Sequence, residues 1–292
     1  MPSTRDIRRR IKSVKNTAQI TKAMQMVAAA KMRKAQQAAL VGRPYAQLMN
    51  EVLAQAAART AAFEHPLMEV RTVKKRAVIV VSTDRGLCGG LNSNLLREAA
   101  KFDRNTTIYI GAGKKASQFI ARTKRQLAAE FLYKDTPQFA EARAISRFAQ
   151  DLFLRGEVDA VDILYTNYVS TLIQQPKTVA FLPVGKIQAV KAGIGAPQEE
   201  LKPADKTDLF EFEPDEKSVL GALLPHSLNF QVHQILLEAK ASEHSARMVA
   251  MKNATDNAKQ LIKDLTLEYN KLRQSNITKE LLEITTAQMA VG

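Results

Sequence analysis

Positions 3–41 contain neither Gly nor Pro, and apolar or small residues recur there in alternating steps of four and three. They are Ile7, Ile11, Val14, Ala18, Thr21, Gln25, Ala28, Met32, Ala35 and Ala39. This is the stripe of a coiled-coil helix whose contact face is built from small side chains. Asp6 near the start suits the positive end of a helix dipole, and Thr4 is placed to cap it. Gly42 and Pro44 are expected to kink the helix without ending it, because positions 45–63 still read as helical. The far end of the chain repeats the pattern. After Pro225 neither Gly nor Pro occurs until Gly292, and the four–three steps run Leu228, Val232, Ile235, Ala239, Ser242, Ala246 and Val249. The register then slips and resumes at Ala254, Ala258, Leu261, Leu265 and Leu272, a local change in coil winding. At the rise of an α-helix the second helix would be roughly 100 Å long, and the uninterrupted part of the first roughly 60 Å.

Between these ends the period changes. Short β-branched runs at 76–81, 106–110, 161–165 and 178–184 alternate with helical stretches at 91–102, 114–123 and 138–155. Strand–helix alternation predicts an α/β layer on a mainly parallel sheet. Positions 185–206, with Gly193, Gly195, Pro197 and Pro203, read as a loose connector. The expected fold is therefore α/β plus a long α-helical coiled coil. An antiparallel pair of N- and C-terminal helices flanks a central Rossmann-like α/β domain. The boundaries fall at 1–64 for the first helix, 74–210 for the α/β domain and 211–292 for the last helix. A hydrophobic seam on an isolated helix is costly in water, and each end supplies the other with a partner, Ala246 lying inside that seam. The C-terminal helix outruns its mate, and the overhang needs a socket because a lone helix frays. Positions 284–292 carry no charged side chain, so such a tip can turn inside an apolar sleeve without dragging buried charge past its walls.

Composition adds direction. The 292 residues carry a formal charge of +14, with 46% hydrophobic and 6% aromatic residues and no Trp. Through Arg59 there are twelve Lys/Arg against only Asp6 and Glu51, whereas from Asp215 onward nine Lys/Arg meet nine Asp/Glu. A basic helix of this kind seeks nucleic acid, an anionic membrane or an acidic protein, unless it is a plain solvated face. Nucleic-acid binding calls for stacking aromatics or a recognition fold, and positions 1–41 hold no aromatic residue. A basic coiled-coil nucleic-acid-binding protein is the alternative reading. The favoured partner is an acidic protein met by Arg8, Arg9, Lys12, Lys31 and Arg33. The single cysteine, Cys88, cannot form an internal disulfide, which fits a reducing compartment. No apolar run reaches the length of a membrane span, and neither a signal core nor a transit-type leader precedes the helical pattern, so membrane contact is expected to be peripheral.

No motif carries catalysis. Gly86-x-x-Gly89-Gly90 follows a strand, but its spacing is not that of a dinucleotide-binding turn; a tight strand-to-helix turn or a contact with a partner accounts for it. Gly111-Ala-Gly113-Lys114 lacks the gap and the Ser/Thr of a phosphate loop and reads as another strand–turn–helix junction. His65, His226, His233 and His244 share no metal-ligand spacing with Cys88 or one another. His233 and His244 are read as surface or contact groups.

Separate blocks in order resemble the gamma subunits of F-type ATP synthases. Positions 11–24 (IKSVKNTAQITKAM) and 26–33 (MVAAAKMR) are similar to the family's opening signature, and 83–92 (TDRGLCGGLN) to its second block. Leu228-Asn-Phe-Gln231, 242–248 (SEHSARM), Met251, Ala254-Thr255 and Asn257-Ala258 resemble the third. Tyr269-Asn270, Arg273-Gln274 and Ile277-Thr278-Lys279-Glu280 resemble the last. One departure lies at the tip, where Ala287 and Gln288 stand in place of the family's usual Gly-Ala; His226 also replaces a commonly basic or bulky residue. The resemblance implies a non-catalytic rotor shaft of a proton-translocating, bacterial-type synthase, with no cofactor, no metal and no nucleotide chemistry of its own. It implies one copy per complex inside a ring of three alpha and three beta subunits. The epsilon subunit and the c-ring lie on the α/β domain's side, and the membrane, at its cytoplasmic face, is met only indirectly. Met24, Arg8, Arg9, Lys12, Arg273, Gln274 and Glu280 are the expected shaft contacts to beta. Asp84, Arg85, Gly86, Leu87, Cys88, Gly89 and Gly90 are the expected contacts on the epsilon and c-ring side.

Overall fold

A computed structural model describes residues 3–59, 65–184, 213 and 215–291 of the protein. The expected connector at 185–206 lies outside the described residues. The elements in order are α1 (Thr4–Val41), α2 (Arg43–Arg59), a single 3-10 turn, β1 (Arg76–Val81), α3 (Leu91–Ala100), β2 (Thr107–Ala112) and α4 (Lys114–Arg122). Then follow β3 (Gln126–Phe131), α5 (Phe139–Leu154), β4 (Ala160–Tyr168), β5 (Gln174–Leu182) and α6 (Glu216–Val291). The chain divides into two compact units, Met1–Val27 with Met248–Gly292, and Ala28–Arg247.

The first unit is a pair of helical segments from α1 and α6. Arg8 donates to the Tyr269 hydroxyl at 2.7 Å, and Thr21 meets Thr255 at 2.7 Å. Moving up α1 from Arg8 to Thr21 therefore moves down α6 from Tyr269 to Thr255, so the segments are antiparallel. The α1 seam is as expected: Ile7 and Thr21 are buried and Ile11, Val14 and Ala18 half-buried. On α6 the resumed register differs. Met251, Thr255, Ala258 and Leu265 are buried and Ile262, Tyr269 and Leu272 half-buried, while Leu261 stays 40% exposed. Ile262 takes the place expected of Leu261, because the steps of four and three are counted from Met251 and Thr255. Every described residue from 273 to 289 is exposed.

The second unit holds a five-stranded sheet in the order β3-β2-β1-β4-β5, parallel except for the antiparallel β4–β5 pair. β3 falls at 126–131, where the sequence reading has no strand. Its residues, QLAAEF, hold no β-branched side chain, and pairing with β2 overrides their propensity. β5 starts earlier than expected and tolerates Pro176 because it is an edge strand. On one face α3 and α4 cover Val78, Val80, Tyr109 and Leu164. On the other, α5 and the Leu224–Ala239 stretch of α6 cover Ile79, Ile110, Ile163 and Tyr165.

That arrangement revises the seam on the early part of α6. Leu228, Val232, Ile235 and Ala239 pack into the core beneath the sheet, not into a simple two-helix stripe. Residues 234–246 are buried on every side of the helix. Ala246 packs on Cys88 and Leu91. The helix also begins before Pro225, which it carries in its interior. Gly42 separates α1 from α2, and a Cβ there would lie 2.8 Å from Gln234 Nε2 on α6. The break is thus a place of close helix approach, where a larger residue would require the end of the Gln234 side chain to shift.

Candidate functional site

β1 ends at Val81, and the chain turns through 82–90 before α3 begins. The turn is organised by its own side chains. Thr83 Oγ1 donates to the Arg85 carbonyl at 2.7 Å, and Asn92 Nδ2 donates to Thr83 Oγ1 at 2.8 Å and to Cys88 Sγ at 3.3 Å. Asp84 Oδ1 accepts from the Lys114 amide at 3.0 Å. Leu87 and Gly89 lie in the left-handed region, at φ 64° and 60°. Leu87 is 62% exposed, while Cys88 beside it is buried, and burial pushes its thiol pKa up. A thiol so placed is inert packing, not a nucleophile.

The turn lies at the carboxyl end of a strand whose neighbours, β2 and β4, depart to opposite sides. In doubly wound sheets that switch point is the crevice where nucleotides bind. Here α6 fills it. Ser242 Oγ donates to the Thr166 carbonyl at 3.0 Å, and Ser245 Oγ to the Thr171 carbonyl at 2.8 Å. Arg247 donates to the carbonyls of Arg85 and Gly86 at 3.3 and 3.2 Å. Glu238 accepts from the Tyr168 amide at 3.3 Å. Five backbone groups at this end of the sheet, on β4 and on the loops after β1 and β4, are thus engaged by one helix.

Charged side chains are enclosed with it. Glu243 pairs with Lys240 at 3.0 Å and with Arg247 at 2.8 Å. Lys240 lies 4.6 Å from the Tyr133 ring centroid and 3.8 Å from Asp135, whose other oxygen accepts from Lys31 at 2.5 Å. The hydrogen bond from Lys31 holds the Asp135 carboxyl below its ordinary pKa, with Lys240 adding to it. Burial pushes the His244 imidazole down to about 4. His244, read as a surface or contact group, is buried, and His233 is half-buried with Nε2 at 3.2 Å from the Pro137 carbonyl. Among the described residues no group of three His, Cys, Asp or Glu could hold a metal ion.

The expected contact residues divide between the two units. On the paired helices Met24 is half-buried, and Arg8, Arg9 and Lys12 are exposed. Arg8 is engaged within the chain by Tyr269, and Arg9 lies 3.6 Å from Asp6. Arg273, Gln274 and Glu280 are exposed beyond the end of α1. Lys31, expected to reach an outside acid, is paired with Asp135 in its own unit, whereas Arg33 is exposed. The run 84–90 forms one continuous turn, as its spacing implies. Glu243 and Arg247 stand in the 242–248 block, but neither they nor Lys240 carry a role in the sequence reading. Their spacing along one helix flank was the available signal.

Residues 3–291 match a protein family described as ATP synthase. The chain is 48% identical over its whole length to all of the ATP synthase gamma chain of Methylacidiphilum infernorum, and 50% identical, again over both full lengths, to that of Opitutus terrae. Among solved structures, a chain of the Euglena gracilis mitochondrial ATP synthase OSCP/F1/c-ring assembly superposes with a TM-score of 0.70 at 23% identity, covering 99% of this chain and 94% of that one. A chain of the Tetrahymena thermophila mitochondrial ATP synthase central stalk and c-ring gives 0.58 at 24% identity, covering 80% and 99%. These two likenesses establish the fold.

Proposed function

The chain belongs to the ATP synthase gamma chain family, and from that premise we propose that its antiparallel α1–α6 pair is the shaft that carries rotation between proton flow and ATP synthesis. It is a non-catalytic rotor subunit of the central stalk. The shaft turns, one copy per complex, inside three alpha and three beta subunits, with the epsilon subunit and the c-ring as its other partners. Each beta subunit meets a different side of an asymmetric shaft and is biased toward a different nucleotide affinity. Turning the shaft cycles those biases, and it shifts each site only by the difference in contact free energy between states. Met24, Arg8, Arg9, Lys12, Arg273, Gln274 and Glu280 are the shaft contacts in this reading. The 84–90 turn, with Leu87 exposed, is a contact on the epsilon and c-ring side. Localisation follows as peripheral, at the cytoplasmic face of a bacterial inner membrane. In support, no helix among the described residues is long and apolar enough to cross a membrane, and the two relatives compared are bacterial.

The observation that carries the reading is the overhang of α6. Beyond Leu272 the helix has lost its mate, and it exposes Ile277, Leu281, Leu282, Ile284 and Met289 at 44–85%. A single helix in water frays, and bulky apolar side chains on it call for a surrounding sleeve. The test is capture of the tagged full chain from its native membrane fraction. Alpha, beta and c-ring subunits are expected to co-purify, and trypsin should cut at Lys271, Arg273 and Lys279 in the free chain but not in the captured complex. Recovery without alpha and beta, or equal cutting in both states, refutes the shaft.

A further inference from the structure

We infer that Glu243 is a positioning residue: held by Lys240, its carboxylate aims the Arg247 guanidinium at the Arg85 and Gly86 carbonyls and so latches the 84–90 turn onto α6. The geometry divides the carboxylate evenly. Oε2 faces the Lys240 ammonium at 3.0 Å and Oε1 faces Arg247 Nη1 at 2.8 Å, leaving Arg247 Nη2 to reach the carbonyls at 3.3 and 3.2 Å. The side chains of Lys240 and Glu243 are 2% and 5% exposed. A buried pair of this kind gives little net stability over an apolar replacement of similar volume. Its contribution here is direction, since a guanidinium must be fixed in one rotamer to serve two carbonyls at once.

The turn needs such a restraint. Leu87 holds a left-handed conformation unfavourable for a branched side chain, and most of that side chain is in solvent, where it supplies no burial to offset the strain. The neighbouring Cys88 anchors the turn from below against Leu91 and Ala246, and Arg247 clamps it from the adjacent position on α6. Turn and helix then move as one body, and Leu87 is presented in a fixed place. Only that consequence for coupling rests on the rotor reading; the latch itself does not.

Cys88 is the chain's single cysteine and reports directly on the turn. The full-length chain is treated with a chromogenic disulfide reagent, and the rate of Cys88 labelling is followed alongside the melting midpoint. Glu243→Gln is expected to speed labelling at least about tenfold, the loss of one charge-assisted bond. The double variant Lys240→Met/Glu243→Leu replaces the buried pair with apolar volume. It should melt higher than Glu243→Gln, which leaves Lys240 buried without its carboxylate, yet label equally fast, because Arg247 is no longer aimed. A merely structural pair predicts that protection returns with stability, so a folded variant labelling within about twofold of the wild type overturns the latch. If Glu243→Gln does not fold, the double variant decides. In assembled complexes, ATP-driven proton pumping per ATP hydrolysed should fall for the fast-labelling variants. Fast labelling with unaltered pumping removes the turn from the coupling path and leaves the latch standing.

Discussion

His244 makes the folded chain acid-sensitive in a calculable way. Its side chain is 2% exposed, with Nδ1 3.4 Å from an Arg247 nitrogen and Nε2 4.0 Å from Asp135. Burial is the largest cause of its lowered pKa. Arg247 and Lys240 push it the same way, and Glu243 and Asp135 oppose them. The folded imidazole therefore titrates at about 4 against an ordinary value of 6.5. Between those values the unfolded chain binds a proton that the folded chain refuses, so stability rises with pH through that window and is level above it. Worked for one site, the loss from pH 7.5 to pH 5 is about 2 kcal/mol. For a chain of this size that corresponds to about 4 °C in melting midpoint. His244→Gln keeps a polar group in the space and cannot take the proton. The assay is thermal unfolding by circular dichroism at both pH values for the two proteins. The wild type should lose about 4 °C more than His244→Gln between them. His233, also lowered by burial, is present in both proteins and cancels in the difference. Equal losses would show that His244 is protonated in the folded chain and that its enclosure is not as described.

Two further outcomes test the fold that positions the site. Thr21 and Thr255 share a buried hydroxyl contact, and each is also placed to donate to its own helix at the Ala18 or Met251 carbonyl. Two hydroxyl protons thus serve three contacts. Thr21→Val and Thr255→Val should each cost about 1 kcal/mol and the double variant little more, a coupling of about 1 kcal/mol in denaturant unfolding; simple additivity contradicts the pairing. Gly113 has φ 101°, and a Cβ there would lie 2.3 Å from the Ser82 carbonyl oxygen. Gly113→Ala should cost about 3 kcal/mol or more, whereas Gly86→Ala, with open space around its Cβ, should stay within about 0.5 kcal/mol; equal midpoints for the two refute the close approach.

What the sequence disclosed followed the range of the forces involved. Ile7, Thr21, Ala28, Ala35 and Ala39 were legible as inward-facing because a helical stripe is a local pattern. β1 was legible because RAVIVV is buried almost throughout. β3 was not, since an edge strand without β-branched residues is specified by its neighbour. The exchange of Leu261 for Ile262 was hidden for a similar reason: both are apolar, and only the partner helix decides where a slipped register resumes. The 84–90 turn could be found from its glycines, but its fastening could not. Arg247 acquires its role only when the loops after β1 and β4 are brought to the same stretch of helix, a contact spanning more than 160 positions.

The same contact explains why the switch point of this sheet is not left open to a ligand. At the switch point of such a sheet, loop carbonyls and amides stand free of regular pairing, and a ligand ordinarily satisfies them. Here Ser242, Ser245 and Arg247, within two turns of one helix, donate to carbonyls of the loops after β1 and at the end of β4. The crevice is closed by covalent continuity with α6 instead of by a diffusible molecule. A ligand held at that point would come and go with concentration, and the turn fastened by it would loosen whenever it left. A helix of the same chain cannot leave. Loosening the turn then requires breaking the chain from buried Lys240 and Glu243 to half-buried Arg247, so the polar end of the sheet, elsewhere the place of exchange, becomes here the place of attachment.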